Sequence, residues 1–218
     1  IEGNFDDCQN LVKAMFNDEK FSKAINMSGV NSINWARIIA QSVYYFYAYF
    51  KVANNQPLSF SVPTGNFGDI YAGYLAKKLG LPIDKLIVAT NKNDILHRAI
   101  SGGDYSQKKV EETNTPSMDI QIASNFERLL YDVKECNSEI TKDVMTKIKN
   151  NNYKIGKNDL GKIKKNFISE MLDENETLEM IKSISDEYQT VVDPHTAVGI
   201  GAVRKLGLEK NCVVLSTA

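Results

Sequence analysis

The seven residues Pro63-Thr64-Gly65-Asn66-Phe67-Gly68-Asp69 constrain this chain more than any other stretch. A short apolar run, Leu58 to Val62, precedes them, and an amphipathic run, Ile70 to Leu79, follows. The pattern predicts a strand, a glycine loop and a helix. The first N–H groups of a helix have no partner within it, and the helix dipole there favours negative charge. Gly65 and Gly68 let the backbone turn tightly and approach an anion with no Cβ in the way. Asp69 is expected to cap the helix. The loop therefore suits a phosphate. No Lys-Ser or Lys-Thr pair follows the second glycine and the spacing is not G-x-G-x-x-G, so neither a nucleotide P-loop nor a dinucleotide site is implied. The same residues also suit an ordinary tight turn, and loop chemistry alone leaves both readings open.

The chain has 218 residues, of which 43% are hydrophobic, enough for a substantial core. Its net charge of −1 argues against nucleic acid or an anionic membrane as partner. No apolar run reaches the roughly 18 residues that a membrane-spanning helix needs. Cys8, Cys136 and Cys212 are widely spaced and form no C-x-x-C pair. Neither a metal site nor a disulfide framework is expected, and a reducing cytoplasm is the simple inference. The chain opens at Ile1 and closes just after the apolar run Cys212 to Leu215, as expected of a piece of a longer polypeptide.

Periodicity divides the rest. Asp6 or Asp7 can cap a helix with Cys8, Leu11, Val12, Met15 and Phe16 on one face. Ser32 can cap a longer helix, from about Ile33 to about Ala53. Its apolar residues surround most of the cylinder and predict burial on more than one side. The glycine-loop helix should stop near Gly80 and Pro82, with Leu86 to Ala89 as the next strand. Strand, helix and strand make a βαβ unit with parallel strands. From Lys134 to Glu187 there are ten Lys, no Arg and eleven Asp plus Glu, with helical apolar spacing throughout. The α/β pattern returns with Thr190-Val191-Val192, then Asp193-Pro194 opening a helix that ends near Gly207, and a last strand from Cys212 to Ser216. The expected fold class is α/β: a three-layer, mostly parallel sheet flanked by helices. Residues 1–113 and 188–218 would form the α/β domain and 114–187 a mainly helical insertion. His97 is read as a surface residue and His195 as structural.

Several segments, in order and spread over the whole chain, resemble the threonine synthase family, pyridoxal-phosphate enzymes of the tryptophan-synthase-β type, or fold type II. They are Gly3–Cys8, Asn31–Arg37, Val62–Asp69, Leu86–Asn91, Pro116–Asp119, Ser124–Leu130, Asp193–Gly199 and Leu215–Ala218. The resemblance implies that backbone N–H groups of Gly65, Asn66, Phe67 and Gly68 cradle the phosphate of pyridoxal 5'-phosphate. It also implies that the Thr217 hydroxyl meets the pyridine nitrogen, with the neighbouring Ser216 as the alternative. Asn34 and Arg37 become candidate substrate contacts, since Arg grips phosphate or carboxylate bidentately. Asn125 and Arg128 lie in a family-like segment with no mechanism attached.

The resemblance implies conversion of O-phospho-L-homoserine and water to L-threonine and phosphate. The family's Schiff-base lysine, however, lies upstream of the segment matching Gly3–Cys8. No catalytic residue is therefore expected within these 218, and the chain alone is expected to be inactive. The alternatives are another fold-type II enzyme, such as a threonine dehydratase, and a non-catalytic α/β module that binds a phosphorylated small molecule. The oligomeric state is not readable from the sequence.

Overall fold

The computed structural model describes residue 2 and residues 5–29, 33–151 and 153–216. In chain order the elements are α1 (Phe5–Asn17), α2 (Glu19–Ala24), α3 (Trp35–Val52), β1 (Leu58–Pro63), α4 (Gly68–Lys78), β2 (Ile83–Thr90) and α5 (Ile95–Gly102). There follow α6 (Phe126–Val133), α7 (Ser138–Lys149), α8 (Lys157–Lys164), β3 (Phe167–Met171), α9 (Glu174–Tyr188), α10 (Pro194–Leu206) and β4 (Cys212–Val214).

The strands form one sheet in the order β3-β2-β1-β4, and every pairing is parallel. β1 lies in its interior and is buried at every residue, as a run covered on both faces must be. Alternation along the strands sends side chains to two cores. Phe60, Val62, Leu86 and Val88 join the core beneath α3, α4, α5 and α6. Ile87 and Ala89 join Val198, Ala202 and Val203 of α10 on the other face. Helices on both faces of a parallel sheet make the three-layer α/β architecture. α10 comes close enough that a Cβ on Gly199 would lie 2.8 Å from Val214, and one on Gly201 would lie 2.2 Å from Leu172. Its start follows the expected chemistry: the Asp193 carboxylate accepts from the N–H groups of His195 and Thr196, with Pro194 at the first position. Gly207 ends it at φ 66°.

Four expectations need correction. β3 lies inside the 114–187 segment and pairs with β2, Leu86 to Phe167 through Thr90 to Met171, so that mainly helical segment also completes the sheet. Thr190–Val192 form no strand, and Val191 is exposed. Among the described residues α3 buries one face, through Ile38, Ser42, Tyr45 and Tyr49. Ile39, Val43, Tyr44, Tyr47 and Phe50 on its other sides are exposed, Phe50 by 78%. His97 is half-buried rather than superficial, with a buried Nδ1. Ser32, the expected cap of α3, lies outside the described residues. Asn34 is the cap, accepting from Ala36 N–H at 2.9 Å. No described helix is long and apolar enough to cross a membrane.

Candidate functional site

In parallel α/β sheets, ligand sites form beyond the carboxyl ends of the strands. β1 ends at Pro63, and residues 64–67 carry the chain into α4. Thr64 continues the ladder briefly, its N–H donating to Ala89 O at 2.8 Å and its hydroxyl to Val62 O at 2.6 Å. The next residues leave the sheet. The left-handed residue is not a glycine but Phe67, at φ 64°. That conformation is costly for an aromatic residue and persists only where the surroundings over-determine it. They do so here. The ring is fully buried, edge-on to Phe126 at 5.2 Å and tilted against Phe167 at 5.6 Å. Phe67 is also the cap residue of α4, and its side chain makes no capping hydrogen bond.

Asp69, expected to cap the helix, sits one residue inside it and does something else. It takes the Tyr45 hydroxyl on its main-chain oxygen at 2.8 Å and on Oδ1 at 3.1 Å. Burial pushes its carboxyl up to about 6, against the Tyr45 bond, which lowers it. With no side chain capping the turn, the N–H groups of Gly65, Asn66, Phe67 and Gly68 donate to no acceptor among the described residues.

Gly65 is required by space. A Cβ there would lie 2.3 Å from the carbonyl oxygen of Ser117. Ser117 belongs to a short 3-10 turn, Pro116–Met118, held from behind by a polar cluster. Asn91 Nδ2 donates to Thr115 Oγ1 at 2.8 Å and to Asp119 Oδ1 at 2.8 Å. Asn93 Nδ2 donates to the same Asp119 oxygen at 3.0 Å, as does the Thr113 hydroxyl at 2.7 Å. The Thr113 N–H reaches Asp119 Oδ2 at 3.0 Å. A cluster this fully paired is rigid.

A second brace comes from α6. The Asn66 carbonyl accepts from Asn125 N–H at 3.0 Å and from Asn125 Nδ2 at 3.1 Å. Arg128 Nε holds Asn125 Oδ1 at 2.9 Å. The same guanidinium donates to Ile33 O at 2.8 Å and lies 5.2 Å from the Trp35 ring centroid. Asn125 and Arg128, unexplained in the sequence, thus tie the glycine loop to the start of α3. Their only signal there is a polar pair spaced to share one helix face.

The result is a cavity of ≈ 580 Å³ lined by Gly65–Ile70, Pro116, Ser117 and, from α3, Arg37 and Gln41. Arg37, Gln41 and Tyr45 are spaced four apart, so α3 presents them on one side. Arg37 is therefore brought to the loop. Asn34 is not among the lining residues. Its side chain is committed to the helix start, accepting from Ala36 N–H at 2.9 Å and donating to Gly29 O at 2.7 Å. Thr217 lies outside the described residues. Its neighbour Ser216 accepts from the Thr196 hydroxyl at 3.0 Å, near His195 and Asp193. Among the described residues no group of three or more His, Cys, Asp or Glu side chains could hold a metal ion.

No protein-family model matches the chain. It is 46% identical over 222 residues to the threonine synthase of Pseudomonas aeruginosa, covering 100% of this chain and 47% of that protein. To the threonine synthase of Saccharomyces cerevisiae it is 44% identical over 231 residues, covering 97% and 45%. The crystal structure of pyridoxal-phosphate-bound threonine synthase from Brucella melitensis is 48% identical and matches it with a TM-score of 0.90, covering 100% of this chain and 47% of the other. A fungal L-serine ammonia-lyase from Rhizomucor miehei, at 10% identity and a TM-score of 0.56, shares the fold over 84% of this chain and 52% of its own. The chain spans about half the length of the curated relatives it matches. By sequence and by fold, the chain belongs to the threonine synthase family.

Proposed function

We propose that this chain supplies the phosphate-holding part of a threonine synthase, the pyridoxal-phosphate enzyme that converts O-phospho-L-homoserine and water to L-threonine and phosphate. One observation carries the reading. Gly65, Asn66, Phe67 and Gly68 hold N–H groups with no acceptor among the described residues at the start of α4, in a cavity that also contains Arg37. A dianionic phosphate suits such a site, and backbone donors bind it with no lysine. The cofactor fits on this ground: four donors, a helix start without a side-chain cap, and a glycine where any Cβ would meet backbone.

Pyridoxal phosphate, when bound, supplies the electron sink for elimination and replacement at an amino acid. The residues of this chain anchor and orient. Phe67 fixes the loop through its buried ring. Asn125 and Arg128 keep the Asn66 carbonyl turned away from the anion. Arg37 is placed to meet an anionic group of the substrate. Thr217 keeps its assigned part, a hydroxyl partner for the pyridine nitrogen, as a proposal from the resemblance. None of the residues lining the cavity is a lysine. We therefore expect these 218 residues alone to bind phosphate esters without turning them over. The test is phosphate release from O-phospho-L-homoserine, measured with the chain alone and with a polypeptide of the relatives' full length that contains it. Release by the longer protein only is expected, and release by neither refutes the assignment.

A further inference from the structure

A second cavity opens on the other side of the α3 start. Trp35 and Arg37 are two residues apart, so the helix turns them to nearly opposite sides. Arg37 lines the glycine-loop cavity, and Trp35 lines a separate groove of ≈ 610 Å³ between α4 and α6. That volume suits a small molecule. Tyr71 and Leu75 line it from α4, and Glu127, Arg128 and Tyr131 from α6. Trp35 and Tyr131 are 41% and 39% exposed, so the groove keeps aromatic surface uncovered. Four charged side chains border it, and two of them are spent on each other. Asp132 accepts from the Tyr71 hydroxyl at 2.9 Å and from Lys78 Nζ at 3.1 Å. The other two have capacity left. Arg128 uses Nε on Asn125 and Nη2 on Ile33 O, which leaves Nη1 without an acceptor among the described residues. Glu127 makes no ion pair or hydrogen bond among them. A cationic donor, a carboxylate and an aromatic wall together complement a zwitterion with an apolar tail.

We propose that this groove binds a free α-amino acid with a large apolar side chain. Its carboxylate would take Nη1 of Arg128, its ammonium would meet Glu127, and its side chain would pack against Trp35, Tyr71 and Leu75. The glycine loop contributes nothing to this site. Arg128 gives the site a consequence. The same guanidinium holds Asn125 Oδ1 at 2.9 Å, and Asn125 Nδ2 donates to the Asn66 carbonyl of the loop at 3.1 Å. The guanidinium is a rigid planar fork. A carboxylate on its third nitrogen fixes it and firms the brace behind Asn66, so an amino acid in the groove favours phosphate on the loop. This second step rests on the phosphate-holding reading; the groove itself does not.

Trp35 is the sole tryptophan of the chain. Its fluorescence, excited where tyrosine and phenylalanine do not absorb, therefore reports on the groove. The probes are phenylalanine, phenethylamine, which lacks the carboxylate, and 3-phenylpropanoate, which lacks the ammonium. Phenylalanine should change the emission saturably and bind at least about tenfold more tightly than either of the others. Glu127→Gln, at an exposed position, should weaken phenylalanine by about fivefold or more and leave 3-phenylpropanoate within about twofold. Equal binding of the three probes, or no saturable change with phenylalanine, would overturn the site. By linkage, saturating phenylalanine should tighten inorganic phosphate about threefold in calorimetric titration, and phosphate should tighten phenylalanine by the same factor. An unmoved phosphate affinity would overturn the link to the loop. Phosphate that binds with neither the empty nor the filled groove would overturn the phosphate reading together with the link, while the fluorescence titration still decides the groove.

Discussion

Replacing Gly65 by Ala tests the loop by a shift of known size. The new Cβ would begin 2.3 Å from the Ser117 carbonyl oxygen, where real Cβ contacts stay beyond 3.0 Å, so the two must part by at least 0.7 Å. The Ser117 side is poorly placed to yield, because Asn91, Asn93, Thr113 and Asp119 brace its turn. The loop must therefore move. A displacement of that size carries an N–H···O contact of about 2.9 Å out to about 3.6 Å, where it is no longer a hydrogen bond. A bond to a charged acceptor contributes about 1.5–3 kcal/mol, so losing one weakens phosphate binding by roughly 10- to 150-fold. Overpacking should also cost about 1–3 kcal/mol of stability. Titration with pyridoxal phosphate, and separately with inorganic phosphate, reads the first effect, and thermal unfolding reads the second. A folded Gly65→Ala chain that binds both ligands as tightly as the native one would refute the reasoning.

Four other outcomes follow from the same structure. Asn125→Ala removes the side-chain bond to the Asn66 carbonyl, leaves the main-chain one and deprives Arg128 Nε of its acceptor, and should weaken phosphate binding about tenfold with a loss of about 1 kcal/mol in urea unfolding. Asp119→Ala leaves Asn91, Asn93 and Thr113 without their shared acceptor, and the midpoint of urea unfolding should fall by the equivalent of about 2–4 kcal/mol. Asp69 has its folded carboxyl raised to about 6, so its contribution is fully present below the unfolded value near 3.8 and is lost as pH rises to about 6; stability measured across that window should fall in the native chain by up to about 3 kcal/mol and stay flatter in Asp69→Asn. Among the cysteines, burial pushes the Cys212 thiol up to about 12 while Cys136 is exposed, so a thiol reagent at pH 8 should label Cys136 first and spare Cys212 in peptide mapping.

The features legible in the sequence were those written in local chemistry. The glycine loop shows as a change of period between Val62 and Ile70, and α10 shows in Asp193-Pro194 at its start and Gly207 at its end. Features decided by distant partners were not legible. Phe167 and Ile168 follow helical apolar spacing, yet they form β3 because the open edge of β2 pairs with them residue for residue. Thr190–Val192 have strand composition and no edge to join. Asp69 has the chemistry of a cap, but Tyr45, 24 residues away, claims it, and nothing in either segment announces the pair. Phe67 occupies the left-handed position that a glycine would be expected to take, because Phe126 and Phe167 supply the packing that holds it there. The apolar outer sides of α3 stay exposed among the described residues, and composition does not say which element a helix packs against.

The four loop N–H groups report most directly on where the phosphate goes. An amide ¹H–¹⁵N correlation spectrum of the uniformly labelled chain, followed during titration with pyridoxal phosphate and then with inorganic phosphate, reads those donors one by one. The resonances of Gly65, Asn66, Phe67 and Gly68 should shift downfield with both ligands, as N–H groups do when they gain a charged acceptor, and should saturate together. If those four stay in place while amides elsewhere move, the phosphate binds at another site and the loop is only a turn.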